Sequence, residues 1–197
     1  IHCAAMKHVS SCEYNPFEAV KTNIIGTQNI ISAAMLHGVK KVLFCSSDKA
    51  VNPANAMGAS KLMAERLMLA ANQSRGSRDC KFSCLRFGNI LGSKGSAIHK
   101  FWKQIVLGEE ITLTDENMVR YVLAPEEAQN SVFKCLSIMK GEEIFIKQMP
   151  KIKIIDLIKV LLAQFIHDRF ESILTLWKAG ISNFLNKGEA FMSCRIN

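Results

Sequence analysis

Three short stretches of this sequence hold side chains that could act together on a proton or an anion. Ser46-Ser47-Asp48-Lys49 puts hydroxyl, carboxylate and ammonium groups side by side, directly after the apolar run Val42-Leu43-Phe44-Cys45. A neighbouring carboxyl and amine can serve as acid and base on one substrate. The same residue types also suit a polar strand-end turn in which Ser47 or Asp48 bonds the backbone. In Met57-Gly58-Ala59-Ser60-Lys61, residues four apart share a helix face, so Met57 and Lys61 point the same way. Gly58 costs a helix stability and leaves room for close approach to the backbone; ordinary helix surface is the competing reading. Gly88 to Ser96 holds three glycines and two serines and runs into a helix, where free N–H groups and Lys94 suit a phosphate, or the stretch is a flexible connector. Arg120 could hold a phosphate through two parallel bonds or stand on the surface, and Lys7-His8 lies in a loop-like stretch. The five histidines have no metal-ligand spacing, so no metal site is expected.

These groups need elements to position them. Asn15-Pro16-Phe17-Glu18 reads as a capped helix start, and Phe17, Val20, Ile24, Ile31 and Met35 recur at helical spacing up to Gly38. Val42–Cys45, apolar throughout, suits a strand covered on both faces, which is the habit of parallel sheets. Residues 56–72 are rich in strong helix formers, an exposed loop spans Arg75–Asp79, and 82–87 reads as a further strand. Strand–helix–strand at this spacing implies right-handed crossovers and an α/β parallel sheet. Beyond the Gly88–Ser96 loop, a helix is expected over 97–107, short strands near 111–113 and 120–123, and a helix from Pro125 with an acidic first turn. A strand over 144–146 and a helix over 154–166 complete the reading. No internal repeat, low-complexity tract or clear linker interrupts it.

The chain has 197 residues, 49% of them hydrophobic and 21% charged, which suits one domain with a real core and excludes a disordered tail. No apolar run is long enough to span a bilayer. The net charge of +8 favours an anionic partner. Lys and Arg are spread rather than striped, with no helix–turn–helix or aromatic RNA-binding pattern, so nucleic acid is not expected. Seven cysteines, an odd number without a paired CxxC spacing, read as small buried hydrophobes in a reducing compartment. The opening residues show no signal-peptide pattern and no initiator Met, which suggests a fragment.

Taken in order, Ile1-His2-Cys3-Ala4-Ala5-Met6-Lys7-His8-Val9, Cys12-Glu13-Tyr14-Asn15-Pro16, Glu18 to Asn23, Ser46 to Pro53, Met57 to Lys61, Arg86-Phe87-Gly88-Asn89 and Gly92 to Ser96 resemble one family. It is the polysaccharide-biosynthesis branch of the extended short-chain dehydrogenase/reductases, the UDP-N-acetylglucosamine 4,6-dehydratases, and the likeness runs from Ile1 to about Leu162. The resemblance implies a Rossmann-like doubly wound parallel sheet, N-terminally truncated, with a small C-terminal α+β substrate-binding part. Residues 1–87 would be the C-terminal portion of the NAD(P)-binding domain, 88–162 the substrate-binding loops, strands and helices, and 163–197 a divergent helical tail.

The implied reaction oxidises a UDP-sugar at C4, eliminates water across C5–C6 and returns the hydride to C6, yielding a UDP-4-keto-6-deoxy sugar for surface glycan synthesis. Carried onto matching positions, Ser47 would bond the C4 oxygen, Asp48 would be the acid at C6, and Lys49 the base at C5. Lys61 would hold the nicotinamide ribose, and His2, Ala4 and Ala5 would line an NAD or NADP. Asn23 would support the catalytic strand end, while Lys7, Asn89, Ser93 and Arg120 would contact nucleotide-sugar. Met57 stands where most of the superfamily has the Tyr of its YxxxK motif, so the C4 base falls to Asp48 or a water. The resemblance also implies a homo-oligomer at full length and a cytoplasmic location, with membrane helices ahead of the matching region in some relatives. The alternative is a non-enzymatic one: a truncated remnant, or a partner-binding fragment with idle site residues.

Overall fold

The computed structural model describes residues 1–93 and 95–187. Its chain begins with His2, whose backbone makes an isolated parallel bridge to Phe44. Helices α1 (Val9–Tyr14) and α2 (Pro16–Ala19) follow, then a π-helical segment over Val20–Ile25 that continues into α3 (Gly26–Leu36). The Asn15 side chain accepts from Glu18 N, and Pro16 occupies the first turn, as the capping pattern implies. The single helix expected from Asn15 to Gly38 is therefore interrupted by one π segment, and α1 ahead of it is additional.

Strand β1 (Lys41–Cys45) runs parallel to β2 (Lys81–Arg86), and β2 parallel to β5 (Ile144–Ile146). With His2 flanking β1 on its other side, the sheet order is His2–β1–β2–β5. The crossover between β1 and β2 is α4 (Ala56–Ser74), capped by Asn55, whose side chain accepts from Gly58 N. Period-two alternation splits β1 between two cores. Val42 and Phe44 meet Ile31, Ala34, Ala64, Met68 and Ala71 of α3 and α4 on one face. Leu43 meets Leu85, Cys135 of α6 (Pro125–Ile138) and Met139 just past its end on the other. Helices thus cover both faces, which is the doubly wound arrangement that an all-apolar strand demands. Leu43 and Phe44 are 0% and 1% exposed, and burying each such side chain is worth about 1.5–3 kcal/mol.

Next come β3 (Asn89–Ile90), α5 (Ala97–Leu107), β4 (Val119–Leu123), β6 (Lys151–Lys153) and the long α7 (Ile154–Lys187). β4 pairs parallel with β3 and antiparallel with β6, making a small second sheet. A strand expected at 111–113 is absent. Ile111 and Leu113 instead lie in irregular chain against Phe101, Ile154 and Ile158, because burial between α5 and α7 claims them without a ladder partner. β3 forms inside the stretch read as a loop, and β6 is a three-residue edge strand with too little sequence to signal itself. The helix expected to end near Ile166 continues to Lys187, so the boundary drawn after residue 162 falls within α7. No helix among the described residues is long and apolar enough to cross a membrane.

Candidate active site

The carboxyl end of β1 opens into a cleft of about 660 Å³. In open α/β sheets that is where ligands collect, because loops from neighbouring strand ends diverge there. Ser47, Lys49 and Lys61 line it, joined by Lys7, Asn89 and Ser93. The sequence pattern therefore brings six of its singled-out residues to one cavity.

The strand-end segment is held from three directions. Ser46 N donates to Leu85 O at 2.8 Å and Asp48 N to Phe87 O at 3.1 Å, tying it to the end of β2. A single 3₁₀ turn, Asp48–Ala50, is capped by the Ser47 hydroxyl, which accepts from Lys49 N at 3.3 Å. Gly58 completes the seat: a Cβ there would collide with the Lys49 carbonyl oxygen and touch Pro53. The close approach expected at Gly58 is thus the docking of α4 on the Asp48–Ala50 turn.

Within that turn the side chains form a chain. Ser47 Oγ donates to Asp48 Oδ1 at 2.9 Å, and Lys49 Nζ donates to the same oxygen at 3.0 Å and to Asn89 Oδ1 at 3.0 Å. Asp48 does not line the cleft itself but is bonded to two residues that do. The polar strand-end turn and the acid–base set are accordingly the same structure: Ser47 caps the backbone and also contacts the carboxylate.

Lys61 lies deeper, 6% exposed, with Nζ donating to Cys45 O at 3.0 Å and standing 4.5 Å over the Phe44 ring. Burial pushes its pKa below the ordinary lysine value. It is not ordinary helix surface. Below it, Glu65 grips Arg86 through two bonds of 2.8 and 2.6 Å. Asn23, 1% exposed in the π segment, accepts from Met6 N at 2.7 Å and donates to Met6 O and Ser60 Oγ, locking the 6–7 segment against α4. A π segment at such a position is a frequent companion of functional sites.

Other expectations fare differently. His2 is buried, its Nε2 2.9 Å from Thr27 Oγ1 and its ring against Phe44, so it does not line the cleft. Burial, with the Lys61 charge nearby, lowers its pKa. Ala4 is exposed and Ala5 half-buried, both outside the cleft wall. Arg120 is exposed on β4 opposite Ile152, bonds Val119 O, and also lies outside the wall. In the Gly88–Ser96 loop, Gly95 at φ +74° lies against the His8 ring, and both line the cleft; Lys94 lies outside the described residues. Reading the sequence missed Cys3, Cys45, Phe87, Pro125 and Gln129 in the wall. Pro125 and Gln129 carried a usable signal, since a helix beginning just after strand β4 projects its first turns at a strand end. The six described cysteines are free thiols, and Cys3 departs from the expected burial by being exposed; Cys194 lies outside the described residues. No group of three or more possible metal ligands occurs among the described residues.

The sequence profile described as "Polysaccharide biosynthesis protein" matches residues 1–181. The chain belongs to this family. The match extends well past Leu162, where recognisable motifs end. An uncharacterized membrane protein of Methanocaldococcus jannaschii is 52% identical over 163 residues, 83% of this chain and 49% of that protein. The UDP-N-acetylglucosamine 4,6-dehydratase (inverting) of Campylobacter jejuni is 44% identical over 168 residues, 85% of this chain and 50% of that protein. Among solved structures, Pen from Bacillus thuringiensis superposes with a TM-score of 0.80 at 50% identity, over 83% of this chain and 52% of that one. The dTDP-glucose 4,6-dehydratase DesIV from Streptomyces venezuelae, solved with NAD and TYD bound, superposes with a TM-score of 0.76 over 83% of this chain and 56% of that one. At 21% identity that likeness is one of fold, the Rossmann type. The chain spans about half the length of the curated relatives it matches.

Proposed function

We propose that this chain carries the acid–base half of a nucleotide-sugar 4,6-dehydratase serving surface-polysaccharide synthesis, acting on UDP-N-acetylglucosamine with NAD or NADP. The observation that carries the reading is the Ser47–Asp48–Lys49–Asn89 chain of hydrogen bonds at the carboxyl end of β1, whose Ser47, Lys49 and Asn89 line one cleft with buried Lys61 and hold Asp48 at its edge. The 44% likeness to a protein named for this reaction supports the choice of substrate.

The residues present fit the nicotinamide end of a dinucleotide. Lys61 spends one bond on Cys45 O and, as an ammonium, has further donors to offer a ribose. Ser46 Oγ, 4% exposed in the cleft wall, has no protein partner among the described residues. When bound, the dinucleotide would accept a hydride from C4 of the sugar and return it at C6. The remaining steps are proton transfers by the chain's own groups. Ser47 bonds the C4 oxygen, and Lys61 favours loss of the C4 hydroxyl proton by its charge. The C4 ketone makes the C5 proton acidic, and Lys49 removes it; Asp48 protonates the departing C6 hydroxyl, and once the hydride is at C6 the Lys49 ammonium, or a water, returns a proton to C5. The step needs Lys49 as a neutral amine and Asp48 as a carboxylic acid. A proton moved from Lys49 Nζ to Asp48 Oδ1 across their 3.0 Å contact produces both at once without changing the pair's net charge. Met57, 3% exposed in the wall, has a thioether that cannot take a proton, so the C4 proton goes to a water, or to the Asp48 carboxylate, in which case Lys49 gives its own proton to solvent instead.

Lys49→Met, in the protein as its gene encodes it, should release a 4-keto intermediate at most. Undiminished 6-deoxy product, followed by mass spectrometry, would refute the role as base.

A further inference from the structure

Two thiols that none of these roles use face each other across the floor of the cleft. His2 pairs with Phe44 in parallel register, Cys45 N donating to His2 O at 3.0 Å, so the next residues along, Cys3 and Cys45, are cross-strand neighbours. Their Sγ atoms are 3.4 Å apart. Both line the cleft, and the Cys45 carbonyl is the oxygen that anchors the Lys61 ammonium. The other described cysteines, Cys12, Cys80, Cys84 and Cys135, are buried within apolar cores, whereas Cys3 is open to solvent.

We infer that Cys3 and Cys45 form a modification site: a dithiol in the cleft wall that closes to a disulfide on reaction with a small disulfide of the glutathione class. The Cys3 thiolate attacks one sulfur of the small disulfide, breaking its S–S bond and releasing one thiolate. Cys45, after giving its proton to solvent, attacks the Cys3 sulfur of the mixed disulfide and releases the second. The protein loses two electrons and two protons, and the small disulfide is reduced to two thiols. Exposure makes Cys3 the entering thiol; burial pushes Cys45 up to about 12, so Cys45 reacts second, when its Sγ, 3.4 Å from that of Cys3, makes the attack intramolecular. Closure draws the β1 end and the residue-3 segment together beside Lys61 and changes the wall against which a ligand would rest. Reading that as control of catalysis rests on the dehydratase assignment; the covalent step does not.

The test treats the purified protein with oxidised glutathione and maps its peptides by mass spectrometry without reduction. The expected result is a Cys3–Cys45 cross-linked peptide, reversed by dithiothreitol, with Cys12, Cys80, Cys84 and Cys135 still free thiols that alkylate once the protein is denatured. Cys45→Ser should instead retain glutathione on Cys3. Persistent glutathione on Cys3 of the unmodified protein with Cys45 still free, or cross-links scrambled among all cysteines, would overturn the proposal. Neither readout depends on sugar turnover, so failure here is separable from failure of the dehydratase reading.

Discussion

Two ion pairs lie within one helix of each other and have opposite characters. Glu65 and Arg86 are joined by two short bonds with the carboxylate side chain 0% and the guanidinium 16% exposed. Asp48 and Lys49 share one contact of 3.0 Å, with 30% and 36% exposure. A fork-to-fork guanidinium–carboxylate pair is geometrically locked, and its desolvated partners tolerate no loss. A half-solvated lysine pair has a single point contact, can rearrange toward a substrate, and contributes little to stability. The buried pair ties α4 to the end of β2 beneath the cleft; the open pair stands at its edge, with Lys49 in the wall. Proximity to the cleft therefore does not by itself separate a structural pair from one available to a ligand; exposure and the number of bonds do.

The comparison is broken most directly at the buried pair. Glu65→Gln should lower unfolding free energy by about 3–5 kcal/mol, because Arg86 would keep its charge with half its partner gone; chemical denaturation measures this, and a loss under about 1 kcal/mol would place that pair with the open one. Asp48→Asn, by contrast, should shift stability by less than about 1 kcal/mol, and a larger loss would mean that the 3₁₀ turn depends on this carboxylate. The smallest effect concerns His2, whose folded-state pKa lies below 6.5. Folding favours its neutral form, so its contribution is complete above pH 6.5 and is lost as pH falls through the depressed value. His2→Gln should flatten that part of the curve of denaturation midpoint against pH, and an unchanged slope would assign the proton uptake elsewhere.

Much of this arrangement was legible in the residues. The apolar run 42–45 specified a doubly covered strand, and Asn15-Pro16 and Pro125-Glu126-Glu127 marked helix starts that the structure contains. Ser47, Lys49, Lys61, Lys7, Asn89 and Ser93 converge on one cleft. What was hidden depends on contacts between distant segments. Ile111 and Leu113 have strand-like spacing, yet they pack half-buried against Phe101 of α5 and Ile154 and Ile158 of α7, with no ladder partner. Glu65 looks like a surface helix residue until Arg86 arrives from the neighbouring strand. Arg120 sits on a strand as expected, but the face it occupies is set by pairing with β6, whose three residues signal nothing alone.

On the dehydratase reading, the carboxyl group of Asp48 is the acid for water loss, and its removal leaves the cleft beside it intact. Asp48→Asn should be compared with the unaltered protein, supplied with UDP-N-acetylglucosamine, by mass spectrometry of the nucleotide sugar and by the amount of bound NAD(P). The expected result is retained dinucleotide and a sugar that keeps its water. Full water loss by the variant would contradict it.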